Sequence, residues 1–248
     1  MLTIITTSYT FLVLIIGIIG IIRYKWLSLP FKLPTWSSFM ACLLAILSQI
    51  LNARYRNNKP ILHLESITEF VFYSVIYYYL FKNKIIKKAI IVSIIVFSVS
   101  FLINAIFFQP FFKLFPSNID LPKQVLFAIF SLLLFKEMLL YPLKINIINQ
   151  SIFWFNTAML FFATTMFFNL GITNYLARYI RYDNILVYFW YLIIYLFHIL
   201  ICIALLTENK KFTLSDAGWK FTCINTINSS FFCFHYGFHY LFYCFIPE

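Results

Sequence analysis

Long runs of apolar side chains recur along this chain and alternate with short polar connections. Each run holds about 20 residues, which is the length that a helix needs to cross the hydrocarbon core of a bilayer. Prolines and lysines gather between the runs, as they do where membrane helices end. The pattern therefore predicts seven transmembrane helices, at residues 4–22, 35–53, 61–81, 86–108, 122–141, 152–172 and 185–206.

The composition agrees with a protein that is embedded in lipid. Of the 248 residues, 62% are hydrophobic and only 11% are charged, whereas soluble domains carry about 25% charged residues. A soluble globular protein is thereby excluded. We predict an all-α, polytopic membrane helix bundle over residues 1–211, followed by a C-terminal tail at residues 212–248.

The basic residues predict an orientation in the membrane. Lys and Arg total 19 against 8 Asp and Glu, and the loop KNKIIKK at residues 82–88 is the densest basic segment. Since cytoplasmic loops are enriched in basic residues, we predict the N-terminus outside and the C-terminus inside, which places 12 of the 19 on the inner side. Because these charges lie between apolar segments, they favour membrane lipids as partners and argue against nucleic acid.

Two glutamates interrupt the third apolar segment, in the sequence HLESITEF at residues 63–70. Glu65 lies in the first turn, and His63 is expected to be solvated at the outer interface. Glu69 lies about 12 Å beyond the start of the segment, where an acidic residue costs about 2.5–3.5 kcal/mol. The i, i+4 spacing places both carboxylates on one helix face. Glu69 is expected either to line a polar cavity or to hold a neighbouring helix by a hydrogen bond.

Further polar residues of the predicted spans fall in the same outer half of the membrane. Amides in a membrane are unfavourable unless they find hydrogen-bonding partners, so we predict a hydrated outer-half cavity around Glu69. Unrelated interfacial positions are the alternative interpretation. His198 lies about 8 Å deeper than Glu69, which argues against a direct contact between them. The candidate ligand-binding residues are Glu65, Glu69, Gln49, Asn104, Asn169 and His198.

The tail contains the aromatic sequence FFCFHYGFHYLFYCFI at residues 231–246. Its 16 residues are short for a membrane span, so an interfacial or re-entrant segment is one interpretation. A shifted reading frame, which would make the tail not native-like, is another. No metal site is predicted, and the only alternative ligand set combines an i, i+4 histidine pair with nearby thiols. These residues are His235, His239, Cys233 and Cys244.

Catalytic motifs do not occur in the sequence. It contains no phosphate-binding loop of the G-x-x-x-x-G-K-[ST] type, no H-E-x-x-H and no G-x-S-x-G. The last predicted span has no lysine, which excludes a retinal Schiff base. Neither catalytic residues nor a cofactor are predicted, and an enzyme is the less favoured class.

Residues 61–206 resemble a family of uncharacterised bacterial seven-transmembrane proteins. The stretches that carry the resemblance are LESITEFVFYSVIYYYLFKNKIIKK, SIFWFNTAMLFFATTMFFNLGITNYL and YFWYLIIYLFHILICIALL. Glu69 falls on the family's glutamate in the third span, and Phe153, Trp154 and Asn156 fall on its signature in the sixth. The tail departs from the family, which usually ends soon after the seventh span.

The resemblance implies a multi-pass bundle in the bacterial inner (cytoplasmic) membrane, similar to the sensor regions that are associated with histidine kinases. The first hypothesis is therefore a receptor-like sensor with an outer-half cavity around Glu69, which signals to a cytoplasmic partner such as a histidine kinase. A small membrane-embedded transporter or lipid-modifying enzyme, with Glu69 as proton carrier, is the alternative. An oligomeric scaffold or pore is a third hypothesis, and a homo-oligomer is compatible with such a bundle.

Overall fold

Seven α-helices make up most of the structure, a computed structural model that describes residues 2–141, 146–176 and 184–208. All described residues belong to one compact unit, Met1–Ala217. No strand occurs in the described ranges, which confirms the all-α class. The helices are α1 (Leu2–Ile22), α2 (Leu29–Tyr55), α3 (Lys59–Leu80), α4 (Lys84–Ile103), α5 (Ser117–Leu140), α6 (Ser151–Leu176) and α7 (Asn184–Thr207).

Two helices, α2 and α5, begin at least five residues earlier than their apolar patterns predict. α2 begins at Leu29 rather than at residue 35, with Pro30 in its first turn and Pro34 inside it. The first turn tolerates proline because its N–H groups have no partner within the helix. α5 begins at Ser117 rather than at residue 122, and it continues through Pro122. Lys123, which the sequence analysis counted with an outer connection, is therefore a helical residue.

The helices pack in the order of the chain, and α1 also packs against α7. α3 additionally contacts α5, so that α3 is in contact with α2, α4 and α5. Aromatic rings fill the space between them. Tyr73 lies 6.0 Å from Phe127, 6.3 Å from Phe155 and 5.6 Å from Phe197, measured between ring centroids. Burial of such large apolar side chains is the main source of packing energy here.

The two ends of the bundle are each joined by polar contacts between connections. At one end, the Asn57 side chain donates to the carbonyl of Phe112 at 2.9 Å, which links the α2–α3 and α4–α5 connections. At the other end, the Arg23 guanidinium donates to the carbonyl of Glu208 at 2.9 Å. We call these the outer and inner ends after the predicted orientation, which itself stays a prediction.

The Glu208 carboxylate ties together three elements of the inner end. Glu208 directly follows α7 and is fully buried. Its Oε1 accepts from the backbone N–H of Ser28, at the start of α2, at 3.3 Å. Its Oε2 accepts from the hydroxyl of Ser151, the first residue of α6. A shift of the end of α7 would therefore break contacts to α2 and α6.

Five of the described helices are long and apolar enough to cross a membrane, and they are α1, α2, α4, α6 and α7. α4 turns apolar side chains outward, among them Val92, Ile95 and Val96, which are 58–59% exposed. Such a surface favours contact with lipid over contact with water. The bundle is thus compatible with an integral membrane protein. α3 and α5 are less apolar because they carry charged side chains, so the count of seven spans stays a prediction.

A close approach between α1 and α2 depends on Gly20. A methyl group on Gly20 would lie 2.6 Å from Cγ2 and 2.8 Å from Cβ of Thr35, whose side chain is 1% exposed. Small residues allow membrane helices to approach in this way. Thr35 is short and branched at Cβ, so it cannot move aside as a long side chain would.

We predict that Gly20→Ala separates α1 from α2 and destabilises the protein by about 1–3 kcal/mol, as overpacking does. The free energy of unfolding, measured by SDS titration of the purified protein in mixed micelles, tests this. Gly171→Ala is the matched control, because a methyl group there meets nothing within 4 Å. Equal stability of the two variants would contradict the prediction.

Candidate functional site

A cluster of charged side chains joins α3 to α5. The Lys123 ammonium lies 2.6 Å from Oε2 of Glu69, on α3, and 2.9 Å from Oδ1 of Asp120, one turn earlier on α5. Ser66 donates its hydroxyl to the same Asp120 oxygen at 2.6 Å. Lys123 is 4% exposed. Because each charge has an opposite charge or a donor beside it, the cluster meets the main requirement for burying ions.

A cavity of about 100 Å³ lies beside this cluster. Side chains from every helix except α4 line it, so it is enclosed by the bundle rather than by one helix pair. Glu65, Glu69 and His198, three of the predicted ligand-binding residues, are among its lining residues. The structure therefore brings half of the predicted set to one place.

Glu65 differs from Glu69 in having no partner. It lies one turn before Glu69 on α3 and lines the same cavity. Its carboxylate makes no hydrogen bond or ion pair within residues 2–141, 146–176 and 184–208. Lys123, the basic residue that lines the cavity, is already bonded to two other carboxylates. The cavity thus contains one partly buried carboxylate that the described residues leave without a counter-ion.

Aromatic side chains and His198 form the wall that faces the charged cluster. His198 donates its Nδ1–H to the carbonyl of Ile194 at 2.9 Å. Its ring lies edge-on to Tyr9, with 5.4 Å between the ring centroids, and edge-on to Phe197 at 5.1 Å. His198 is therefore held by its own helix and by rings. Tyr9 and Phe197 also line the cavity.

Two buried polar atoms on the cavity wall lack hydrogen-bonding partners in the described part of the chain. They are Oε1 of Gln124 and the indole N–H of Trp190. Gln124 follows Lys123 on α5 and is only 1% exposed. A buried polar atom without a partner costs about 1–3 kcal/mol. Both residues line the cavity, so their side chains are candidate hydrogen-bonding partners for a molecule inside it.

The other predicted ligand-binding residues do not line this cavity. Gln49 donates to the hydroxyl of Thr10 at 2.9 Å, and so joins α2 to α1. Asn104 donates to the side chain of Gln109 at 3.0 Å, at the turn that ends α4. Asn169 is 3% exposed, and its Oδ1 has no partner among the described residues. Gln49 and Asn104, which the sequence grouped by depth, thus serve separate local contacts.

His63 is buried, so the expectation that it is solvated is wrong. It is 0% exposed. Its Nε2 lies 3.1 Å from the carbonyl of Leu114, to which it donates, and its ring lies 4.8 Å from that of Phe111. The connection between α4 and α5 folds over the end of α3 and covers the imidazole, a long-range contact that depth alone does not predict.

The alternative metal ligands of the tail lie outside the described residues, as does the tail itself at residues 212–248. Within the described residues, no group of three or more His, Cys, Asp and Glu side chains is placed to hold a metal ion. The charged cluster at Lys123 is accordingly an ion-pair network.

Sequence reasoning missed Asp120 and Lys123. The pattern D-x-x-K at residues 120–123 places both groups on one face if the helix has already begun. The predicted helix start at residue 122 left Asp120 in a loop and Lys123 in the first turn, among the basic residues of the outer connection. A signal was present nonetheless, because a buried Glu69 needs a basic partner from another helix. Lys123 was a candidate for that partner, since it is the second residue of the fifth apolar segment.

Comparisons with known proteins return no match: no family model, no curated protein and no solved structure matches the chain. The resemblance to a bacterial seven-transmembrane family therefore stays a prediction. The site has to be interpreted from its own geometry.

We predict that Lys123→Met destabilises the protein by about 3–5 kcal/mol, because it leaves Glu69 and Asp120 buried without their counter-ion. The free energy of unfolding in mixed micelles measures the effect. Lys136→Met, an exposed lysine on the same helix, is the control and should change stability by no more than about 0.5 kcal/mol. If both variants unfold alike, the ion pairs do not stabilise the bundle.

Proposed function

We propose that this chain is an integral membrane receptor, whose helix bundle binds a small ligand in the cavity beside Glu65 and Glu69 and passes the occupied state to a cytoplasmic partner. The observation that supports this most is Glu65, which lines the cavity and has no partner among the described residues. A fold selected for stability alone gains nothing from such a group.

The two glutamates of α3 divide the alternatives that the sequence left open. Glu69 is bonded to Lys123 at 2.6 Å and therefore joins α3 to α5. Glu65 faces the same cavity without a partner among the described residues. An acidic residue inside a membrane costs about 2.5–3.5 kcal/mol, and only Glu69 has that cost offset by a neighbour. We assign Glu69 to the frame of the site and Glu65 to contact with the ligand.

The arrangement of α7 supports transmission toward the inner end. Trp190, Ile194 and His198 on this helix line the cavity. Glu208, at its end, contacts the starts of α2 and α6. Ile194 and Glu208 are separated by about 21 Å along the helix axis. A ligand that moves α7 would disturb these inner contacts, and a cytoplasmic protein such as a histidine kinase could respond to that change.

The ion pair disfavours the alternative of a transporter or lipid-modifying enzyme with Glu69 as proton carrier. A carboxylate that releases and takes up protons should be free to exchange partners, whereas Glu69 is held by an ammonium that Asp120 also binds. α3 also runs unbroken past the cavity, from Lys59 to Leu80. Many transporters instead interrupt their helices at the binding site.

The first test compares the same chemical change at the two glutamates. We predict that Glu69→Gln lowers the free energy of unfolding, because it removes one charge from the pair with Lys123. Glu65→Gln should leave it unchanged or raise it, because the carboxylate has no partner to lose. Unfolding by SDS titration measures both. A larger loss for Glu65→Gln would contradict the assignment.

The second test asks whether the cavity binds ligands at all. The full chain in nanodiscs is screened by thermal shift with panels of small organic cations, anions and neutral molecules. We expect at least one panel to raise the melting temperature. Ala41→Phe, which puts a ring into the cavity from α2, should abolish the effect, because the ring occupies the ligand's space.

Ala53→Phe is the matched control for this screen, since Ala53 is exposed near the end of the same helix. A stabilising compound should also change hydrogen exchange in residues 23–28 and 204–208, the segments joined through Glu208. No stabilisation by any panel, or stabilisation that Ala41→Phe leaves intact, would overturn the proposed site. Unchanged exchange at the inner end would overturn the signalling part.

A further inference from the structure

Among the described residues, the side chains that line the cavity carry more carboxylates than ammonium groups. Glu65, Glu69 and Asp120 are three carboxylates against the one ammonium of Lys123. Lys123 is within 3 Å of only two of them, Glu69 and Asp120. When these four groups are ionised, the site therefore holds two excess negative charges. The third carboxylate, on Glu65, faces the space that a ligand would occupy.

Aromatic rings make up much of the remaining wall. A cation gains about 0.5–2 kcal/mol from the face of a Trp, Tyr or Phe ring, whereas an anion is repelled by it. The carboxylates and the aromatic rings therefore both favour a positively charged ligand. The aromatic side chains that line the cavity are Tyr9, Phe72, Tyr73, Phe115, Phe162, Trp190 and Phe197.

We infer that the cavity binds a small organic cation, an ammonium group with a few carbon atoms, whose charge lies beside Glu65 and whose alkyl groups contact the aromatic rings. The inference rests on the proposed function and names the chemical class of its ligand. The volume of about 100 Å³ suits it, because this space is several times the minimum of about 10–15 Å³ that a single water molecule needs.

An independent observation also points to a ligand with a donor. The carbonyl oxygen Oε1 of Gln124 is buried on the cavity wall without a partner in the described part of the chain. An amide oxygen only accepts hydrogen bonds, so its missing partner is a donor. An ammonium N–H or a hydroxyl of the ligand would supply that donor, and an anionic ligand without hydrogens would not.

A metal cation fits the site less well. Calcium takes six to eight oxygen ligands, and magnesium takes six in near-octahedral geometry. The described residues contain no group of three His, Cys, Asp and Glu side chains that is placed to hold a metal ion. Two of the three carboxylates are also occupied by Lys123.

The test uses a pair of probes that differ in charge and share their shape, namely choline and 3,3-dimethyl-1-butanol. Binding of each to the full chain in phosphatidylglycerol nanodiscs is measured by isothermal titration calorimetry. We expect choline to bind at least about tenfold more tightly than the neutral alcohol, as a contact with a charged group allows. Ala41→Phe should abolish binding of choline.

Glu65→Gln should weaken the binding of choline by about tenfold or more and leave the affinity for the neutral alcohol unchanged, because only the cation interacts with the carboxylate. Glu137→Gln is the matched control. Glu137 lies near the end of α5, where it accepts from the backbone of Lys82 at 2.8 Å, and it does not line the cavity. It should leave both affinities unchanged.

The cation could be a free solute or the headgroup of a lipid. Repeating the titration in nanodiscs that contain phosphatidylethanolamine separates these sources, because a bound headgroup would compete and weaken choline. Weaker choline binding would identify the lipid headgroup as the ligand, and unchanged affinity would identify a free solute. Both outcomes support a cationic ligand.

Equal affinity for the two probes would contradict the proposal of a cationic ligand. So would no binding of choline while another panel of the screen stabilises the protein. Either result would leave the proposed receptor function intact. Failure of every panel would overturn the receptor itself.

Discussion

A buried charge must be compensated by its immediate surroundings, and the Lys123 ammonium is where this bundle meets that constraint. Lys123 on α5 binds Glu69 across the helix interface and Asp120 on its own helix. The two helices that are least suited to contact lipid are thereby paired with each other. Their register is set by one ammonium, because a shift of one turn would leave a carboxylate without a counter-ion. The cavity wall owes its position to the same contact.

The helices and the depth of Glu69 could be predicted from the sequence because both follow from apolar run length. The partner of Glu69 could not, because Pro122 suggested a helix start, which placed Lys123 in the first turn beside the outer connection. His63 shows the same limit, since its burial depends on Phe111 and Leu114 from a distant connection. Depth along a span likewise does not separate Gln49, which bonds to a neighbouring helix, from a residue that faces the cavity. Such differences arise from the rotation of each helix and from contacts between helices.

Two carboxylates on one helix face serve different purposes in this interpretation. Glu69 is neutralised by the fold, whereas Glu65 remains for something that the fold does not contain. The distinction depends on the position of Lys123, which lies beside Glu69 and therefore one turn away from Glu65. Aromatic rings and the unpartnered amide of Gln124 complete the wall of this small site. In the proposed receptor, a ligand would shift a helix only if it bound one helix arrangement more tightly than the other.

The polar contacts below the cavity have a further consequence for what can pass through the bundle. Tyr77 lies about two turns beyond Glu69 on α3. Its hydroxyl lies 2.6 Å from the hydroxyl of Ser131 and donates to the side chain of Asn156 at 3.0 Å. Asn156 in turn donates to the carbonyl of Ser131 at 2.9 Å, and all three residues are fully buried. These groups bond directly to one another, with no solvent between them. Water or an ion that entered this layer would therefore have to break buried hydrogen bonds, at a cost of about 0.5–1.5 kcal/mol each.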